Sequence, residues 1–275
     1  MLLAFDIGNT ETTVGVFARD RLRAHFRLTT DAPRTADEFA VLLRSLLEAA
    51  TIPLRQIDGA AFCSVVPPAT PILIEACRRA TGVDPLSIDA AAAIEGRLPV
   101  TLPVDEPLTV GADRVANALA AAAIVKRDCI IVDIGTATTY DCITAEGSFF
   151  GGVIQPGVRT SAATLFHKTA QLPPIAIADP GPAIATNTEA CIQAGVVYGA
   201  ADAIDGIVRR IKQEWPRKEE PMVIATGGLA KLLARYCSEI DKVEPFFTLQ
   251  GIRVGFEALT TERVMAKKRG RGRTS

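Results

Sequence analysis

The strongest constraint on this 275-residue chain is that it repeats itself at about half its length. Asp6-Ile7-Gly8-Asn9-Thr10 returns 127 positions later as Asp133-Ile134-Gly135-Thr136-Ala137. Thr12-Thr13 returns, offset by one, as Thr138-Thr139. Each copy follows a short apolar run, Leu2 to Phe5 and Cys129 to Val132, and precedes a second one, Val14 to Phe17 and Tyr140 to Thr144. Short apolar runs bounded by turn residues read as strands. The repeat predicts two similar lobes, each opening with a strand–turn–strand that carries an aspartate.

Helical patterns supply the cover each sheet needs. Thr35 and Glu38 have capping-box spacing, and Phe39, Leu42, Leu43, Leu46 and Leu47 follow on one helical face. Ala60 to Val66 read as a buried strand stopped by Pro67 and Pro68, followed by a helix over Ile72–Ala80 and a short strand near Leu86–Ile88. Prolines 99, 103 and 107 make the stretch from Leu98 to Pro107 a loop, and alanine content predicts a helix from about Ala112 to Val125. The expected class is α/β, with mixed sheets flanked by helices. The expected division is 1–117, 118–265, and a basic disordered tail over 266–275.

With 48% hydrophobic residues, the chain can build one large core or two smaller ones. A net charge of −1 gives no reason to expect nucleic acid or an acidic membrane as partner. Lys267, Lys268, Arg269, Arg271 and Arg273, spaced by Gly270 and Gly272, read as a frayed terminus without aromatic residues for base stacking. None of the six cysteines forms CxxC, and His25 and His167 lie far apart, so no zinc site is expected. The cysteines read as small buried hydrophobes in a reducing compartment. Asp6 interrupts the first apolar run, so no signal peptide is expected, and the alanine-rich stretch is too short to span a bilayer. A cytoplasmic protein is expected.

The aspartate turns can carry chemistry. A carboxylate at the end of a buried strand can hold a cation, directly or through water. A glycine two residues later lets a ligand approach the backbone. Asn9, Thr10, Thr12 and Thr13 add donors, so the turn can cradle phosphate oxygens. A single copy would better suit an ordinary hairpin turn, since Asp, Gly and Asn are common turn formers; two copies in matching contexts favour the ligand. Met222 to Ala225 run into Thr226-Gly227-Gly228 and a helical pattern over Leu229–Tyr236, which could bring backbone against a purine or a phosphate. Alone, that is as well explained by a plain strand–helix turn. Gly111-Ala112-Asp113-Arg114 opens the alanine-rich helix. Two readings stay open from the residues: charge placement at a helix start, or a base beside an anion-binding arginine. Walker, GxGxxG, HRD, DFG and GxSxG patterns are absent from the sequence.

Two aspartate–glycine hairpins plus a Gly-Gly turn resemble the actin/sugar-kinase/Hsp70 superfamily, built from two similar ribonuclease H-like lobes. The wording is similar to that of type III pantothenate kinases, a family that includes Bvg accessory factors. DIGNT at 6–10, VGADRVANALAA at 110–121, DIGTATTYD at 133–141 and GGVIQPGV at 151–158 carry the resemblance. So do TAQLP at 169–173, NTEACIQAGVVYG at 187–199, ATGGLA at 225–230 and TLQGIRVGFE at 248–257.

The resemblance implies ATP-dependent phosphorylation of pantothenate to 4′-phosphopantothenate, the first step towards coenzyme A, with magnesium accompanying ATP. It implies that Asp6, Ile7, Gly8, Asn9, Thr10, Glu11, Thr12 and Thr13 form the first ATP loop, with Asp6 near the magnesium. Asp113 would take the proton from the pantothenate hydroxyl. Gly111, Ala112, Asp113, Arg114 and Thr188 would line the pantothenate site, Arg114 meeting the carboxylate. Asp133 would hold a monovalent cation, potassium or ammonium. Thr136 would contact ATP, and Gly227 and Gly228 would lie near adenosine. A homodimer is implied. Two positions depart from the pattern: Val104 stands where many members have tyrosine, and Ala185-Thr186 where they have Gly-Lys. Two other readings remain alongside: a non-enzymatic regulator, and a kinase for another small hydroxyl substrate.

Overall fold

A computed structural model describes residues 1–30, 34–169 and 171–271. The first sheet is built from β1 (Leu2–Ile7), β2 (Glu11–Ala18) and β3 (Arg21–Thr29), then β4 (Gly59–Ser64) and β5 (Leu86–Ser87). Helices α1 (Ala36–Ala49), α2 (Thr70–Thr81), α3 (Ala90–Ile94) and α4 (Ala112–Ala120) are threaded among and after them. The second sheet contains β6 (Cys129–Ile134), β7 (Ala137–Ile143) and β8 (Phe149–Pro156). Next come α5 (Val158–Lys168), α6 (Thr188–Glu214), β9 (Met222–Thr226), α7 (Ala230–Leu233) and β10 (Lys242–Val243), and the chain closes with α8 (Phe247–Arg271).

The two sheets have the same topology. One runs β3-β2-β1-β4-β5 and the other β8-β7-β6-β9-β10. In each, the central strand pairs antiparallel with its hairpin partner and parallel with the strand that follows by crossover, β1 with β4 and β6 with β9. The repeat in the sequence is therefore a repeat of the fold. Its offset of one also has a structural origin. Asp6 lies opposite Thr13 and Asp133 opposite Thr139, because the second hairpin turn is one residue shorter. Gly8 N–H reaches Glu11 O at 3.2 Å, whereas Gly135 N–H reaches Ala137 O at 3.0 Å.

Two compact units result. The first comprises 1–124, 146–149 and 248–275, and the second 125–145 and 150–247. The first core gathers Leu3, Phe5, Val14 and Val16 of the sheet under Phe39, Leu43 and Leu47 of α1 and Leu73 and Cys77 of α2. The capping box at Thr35 and Glu38 is formed, so α1 starts where the spacing predicts. The second core sets Ile130, Val132, Val223 and Ala225 against Val196, Val197, Ile204 and Val208 of α6. By length and composition α6 could cross a bilayer; in the structure Val196, Val197, Ile204 and Val208 pack one of its faces on the second sheet.

The compact units depart from the contiguous division expected at 117/118. Residue 117 lies inside α4, and α8 joins the first unit rather than the second. The cause is close packing of α8 on α4. A Cβ on Gly251 would overlap the carbonyl of Ala116, and one on Gly255 would press on Leu119. Thr248 Oγ1 donates to buried Asn117 Oδ1 at 3.1 Å. The backbone of α8 stays helical to Arg271, so the expected tail is helical there; 272–275 lie outside the described residues. The helix expected over 112–125 changes to π geometry at Ala121–Val125. The helix expected after Gly228 is only α7 and a turn. Cys63, Cys77, Cys129 and Cys142 are buried as expected, but Cys191 is exposed and Cys237 partly so.

Candidate active site

The first unit holds most of the candidate residues. Asp6 stands near the end of β1, flanked by Thr13 on β2 and Cys63 on β4. Ile7, one residue on, points into the core, and the hairpin tip, Asn9, Thr10 and Glu11, is exposed. Thr12 is buried, its hydroxyl 2.8 Å from that of Thr30. The tip is tethered by Thr30 N–H to Thr10 O at 2.9 Å. The loop thus presents backbone and polar tips at the surface, while its apolar residue anchors it from below.

Asp6 is electrostatically unusual. Its carboxyl is raised from 3.8 to about 7, first by burial and then by the neighbouring charge of Asp113. The Cys63 thiol, which donates to Asp6 Oδ1 at 3.5 Å, acts in the opposite direction. Burial and these two carboxylates in turn push the Cys63 thiol well above its ordinary range. Two carboxylates that raise each other's cost of ionisation form a site that favours a cation or a shared proton. It is made by β1 and the N-terminus of α4, elements more than 100 residues apart in sequence.

Asp113 occupies the first turn of α4, two residues after the Gly111 N-cap. Its Oδ1 accepts the Arg114 N–H at 2.8 Å. A Cβ on residue 111 would collide with that oxygen, so glycine is what lets the carboxylate fold back over the helix start. Ala112 is buried beneath it. The helix N-terminus favours the ionised carboxylate. Arg114 lies over the ring of Phe149, its guanidinium carbon 4.8 Å from the centroid.

The second unit repeats the aspartate hairpin with other neighbours. Asp133 is paired in register with Thr139 and Thr226. Gly227 follows directly, with φ +91, and a Cβ there would lie 2.6 Å from Asp133 Oδ1 and 2.7 Å from Ile134 O. The Gly-Gly turn therefore folds tightly against the Asp133 carboxylate, a proximity that sequence spacing did not show. Gly228 is exposed beyond it. Thr136 is exposed at the hairpin tip, its carbonyl accepting from Gly157 N–H at 3.1 Å and Thr160 Oγ1 at 2.6 Å. Thr188 is exposed as the first residue of α6, after the Asn187 cap. Asp133, Thr136 and Gly227 are thus gathered by one sheet, whereas Thr188 enters from a separate helix.

The donor set suits a nucleotide-borne cation better than a protein cage. Among the described residues no group of three or more His, Cys, Asp or Glu side chains is arranged to hold a metal ion. Magnesium brought in with phosphates needs only one or two carboxylates, and Asp6 can offer one.

The family model of type III pantothenate kinases matches residues 2–210. The type III pantothenate kinase of Syntrophotalea carbinolica is 42% identical over 92% of this chain and 97% of its own length. That of Moorella thermoacetica is 38% identical over 94% of this chain and 100% of its own. Among solved structures, a Campylobacter jejuni protein described as a conserved Baf-family transcriptional activator superposes with a TM-score of 0.56 at 17% identity, over 95% of this chain and 98% of that one. Component A of the Acidaminococcus fermentans (R)-2-hydroxyglutaryl-CoA dehydratase gives 0.53 at 14% identity, over 93% and 95%. At such identities the structures speak for fold alone, which is of the actin/sugar-kinase/Hsp70 type, with a mixed sheet flanked by helices in each lobe. The family model matched over residues 2–210 and relatives 38–42% identical over more than nine-tenths of the chain give one assignment: this chain belongs to the type III pantothenate kinase family.

Proposed function

We propose that the chain transfers the γ-phosphoryl group of ATP to the primary hydroxyl of pantothenate, forming 4′-phosphopantothenate and ADP at the entry to coenzyme A synthesis. The observation that carries this reading is the Asp6–Asp113 pair within a chain that matches pantothenate kinases over nine-tenths of its length. Phosphoryl transfer is mostly positioning and charge neutralisation. Asp113 is the base: as the new O–P bond forms and the bond to the ADP oxygen breaks, its carboxylate accepts the hydroxyl proton. The hairpin at 6–13 presents backbone and threonine donors to the phosphates, and Asp6 would hold the magnesium that accompanies ATP, which would neutralise phosphate charge. Thr136, Gly227 and Gly228 serve the nucleotide, and Gly111 to Arg114 with Thr188 serve pantothenate. A potassium or ammonium ion at Asp133, a homodimer and a cytoplasmic location complete the proposal.

An ADP-coupled assay over a panel of small hydroxyl acceptors tests it. Turnover should require pantothenate and a divalent metal and rise with potassium or ammonium. Asp113→Asn should lower kcat by roughly 10²–10⁴-fold, the usual worth of a general base, while ATP still binds. Near-normal turnover in that variant would refute the base assignment. Preference for another acceptor would refute the substrate.

A further inference from the structure

We infer that Phe149 is a positioning residue for the acceptor, acting through Arg114, whose guanidinium it holds flat for the substrate carboxylate. This rests on the pantothenate reading above and deepens it. Pantothenate carries its reacting hydroxyl at one end and a carboxylate at the other. Arg114 follows the base Asp113 directly on α4 and is the cation of the Gly111–Arg114 turn. An arginine on a flexible stem recognises a carboxylate well only when its planar fork is pre-set.

Phe149 supplies that constraint. Its ring faces the guanidinium carbon at 4.8 Å, within cation–π range. The ring itself is immobilised, with Phe149 2% exposed. Its backbone is pinned as well. Phe149 N–H donates to Thr101 O at 2.9 Å, and Thr101 N–H donates to Gly147 O at 3.1 Å, closing a small parallel bridge between Thr101 and Ser148. Thr101 belongs to the proline-rich run that leads into Gly111, so one bridge fixes the ring relative to the segment that presents Arg114. Residues 146–149 accordingly belong to the first unit, with Arg114, although β8 continues into the second.

A ring that only fills space would matter equally for any acceptor. A ring that orients Arg114 matters for acceptors with a carboxylate. The test compares pantothenate with its alcohol analogue, in which the carboxylate is replaced by hydroxymethyl, for the wild type, Phe149→Leu, Phe149→Tyr and Arg114→Lys. Phe149→Leu should raise the KM for pantothenate about ten-fold with kcat within two-fold, and leave the KM for the alcohol unchanged. Phe149→Tyr keeps the π face and should behave as wild type. Arg114→Lys keeps the charge but loses the planar fork, and should show the same split; it also serves if Phe149→Leu fails to fold. Equal losses with both acceptors, a loss in kcat alone, or no change in KM for pantothenate would overturn the inference. A wild-type enzyme that phosphorylates neither acceptor would instead overturn the substrate reading, a distinct outcome.

Discussion

Replacing Asp6 by asparagine should stabilise the first unit of the nucleotide-free and metal-free protein at pH 8. The magnitude follows from the environment of the carboxyl. Burial, reinforced by Asp113 and opposed by the Cys63 thiol, lifts its midpoint from 3.8 to about 7. Between these values the folded chain retains a proton that the unfolded chain has released, so stability falls as pH rises through that window and levels off above about 7. Each unit of difference is worth about 1.4 kcal/mol, which sets a ceiling of roughly 4 kcal/mol. Asp6 is partly exposed, and solvent screening lowers the observable part to about 1–2 kcal/mol between pH 5 and 8. The Asp6→Asn variant lacks this loss. Trp215 belongs to the second unit, so its fluorescence reports the wrong part of the molecule. Hydrogen-exchange protection of the β1 amides, measured for both proteins across pH 5–8, reports the first unit directly. Titrating groups that do not interact with Asp6 cancel in the difference. Asp113→Asn should move the midpoint down while leaving the larger contribution of burial. Parallel pH curves for wild type and Asp6→Asn would refute the argument.

Three further outcomes follow from the packing. Gly251→Ala forces a Cβ into the Ala116 carbonyl and should destabilise the first unit by at least about 1–3 kcal/mol, the range for overpacked cores, seen as a lower urea midpoint. Gly227→Ala combines a positive φ with a Cβ 2.6 Å from Asp133 Oδ1; it should weaken ATP binding ten-fold or more by titration calorimetry, with the far-ultraviolet circular dichroism preserved. Thr35→Ala removes a formed capping box and should cost about 1 kcal/mol with kinetics unchanged.

Much of this was legible because the repeated strands state their own environment. Leu2 to Ile7 and Cys129 to Ile134 share one burial pattern, buried throughout except at the aspartate. That is why an apolar run ending in Asp-Ile-Gly could be read as a buried strand delivering a carboxylate. The capping box placed α1 in the same way, by a local interaction. Strand β3 escaped notice although its signal is plain: Arg21, Arg23, His25 and Arg27 face outward while Leu22, Ala24, Phe26 and Leu28 face in. The Asp6–Asp113 pair, the fold of Gly227 onto Asp133 and the stack of Arg114 on Phe149 could not be read. Each depends on tertiary proximity that no periodicity encodes. The membership of α8 was hidden for a related reason. Gly251 and Gly255 look like helix-weakening residues in sequence, yet Gly251 lets the α8 backbone meet that of α4 at Ala116, and Gly255 makes room for the side chains of Ile88 and Leu119.

The attachment of α8 to α4 also sets the order in which the chain can become a protein on the ribosome. Asn117 waits for Thr248, 131 residues later, and Ala116 for Gly251. The second unit, inserted between them apart from residues 146–149, has all of its strands and helices synthesised before α8 emerges. The half that begins first is therefore the half that finishes last, and loop closure over such a separation is slow. Asp6 and Asp113 are both translated long before the helix that buttresses α4. A chain stalled or truncated before residue 248 would hold every proposed catalytic group and still lack the packing that keeps Asp113 in place.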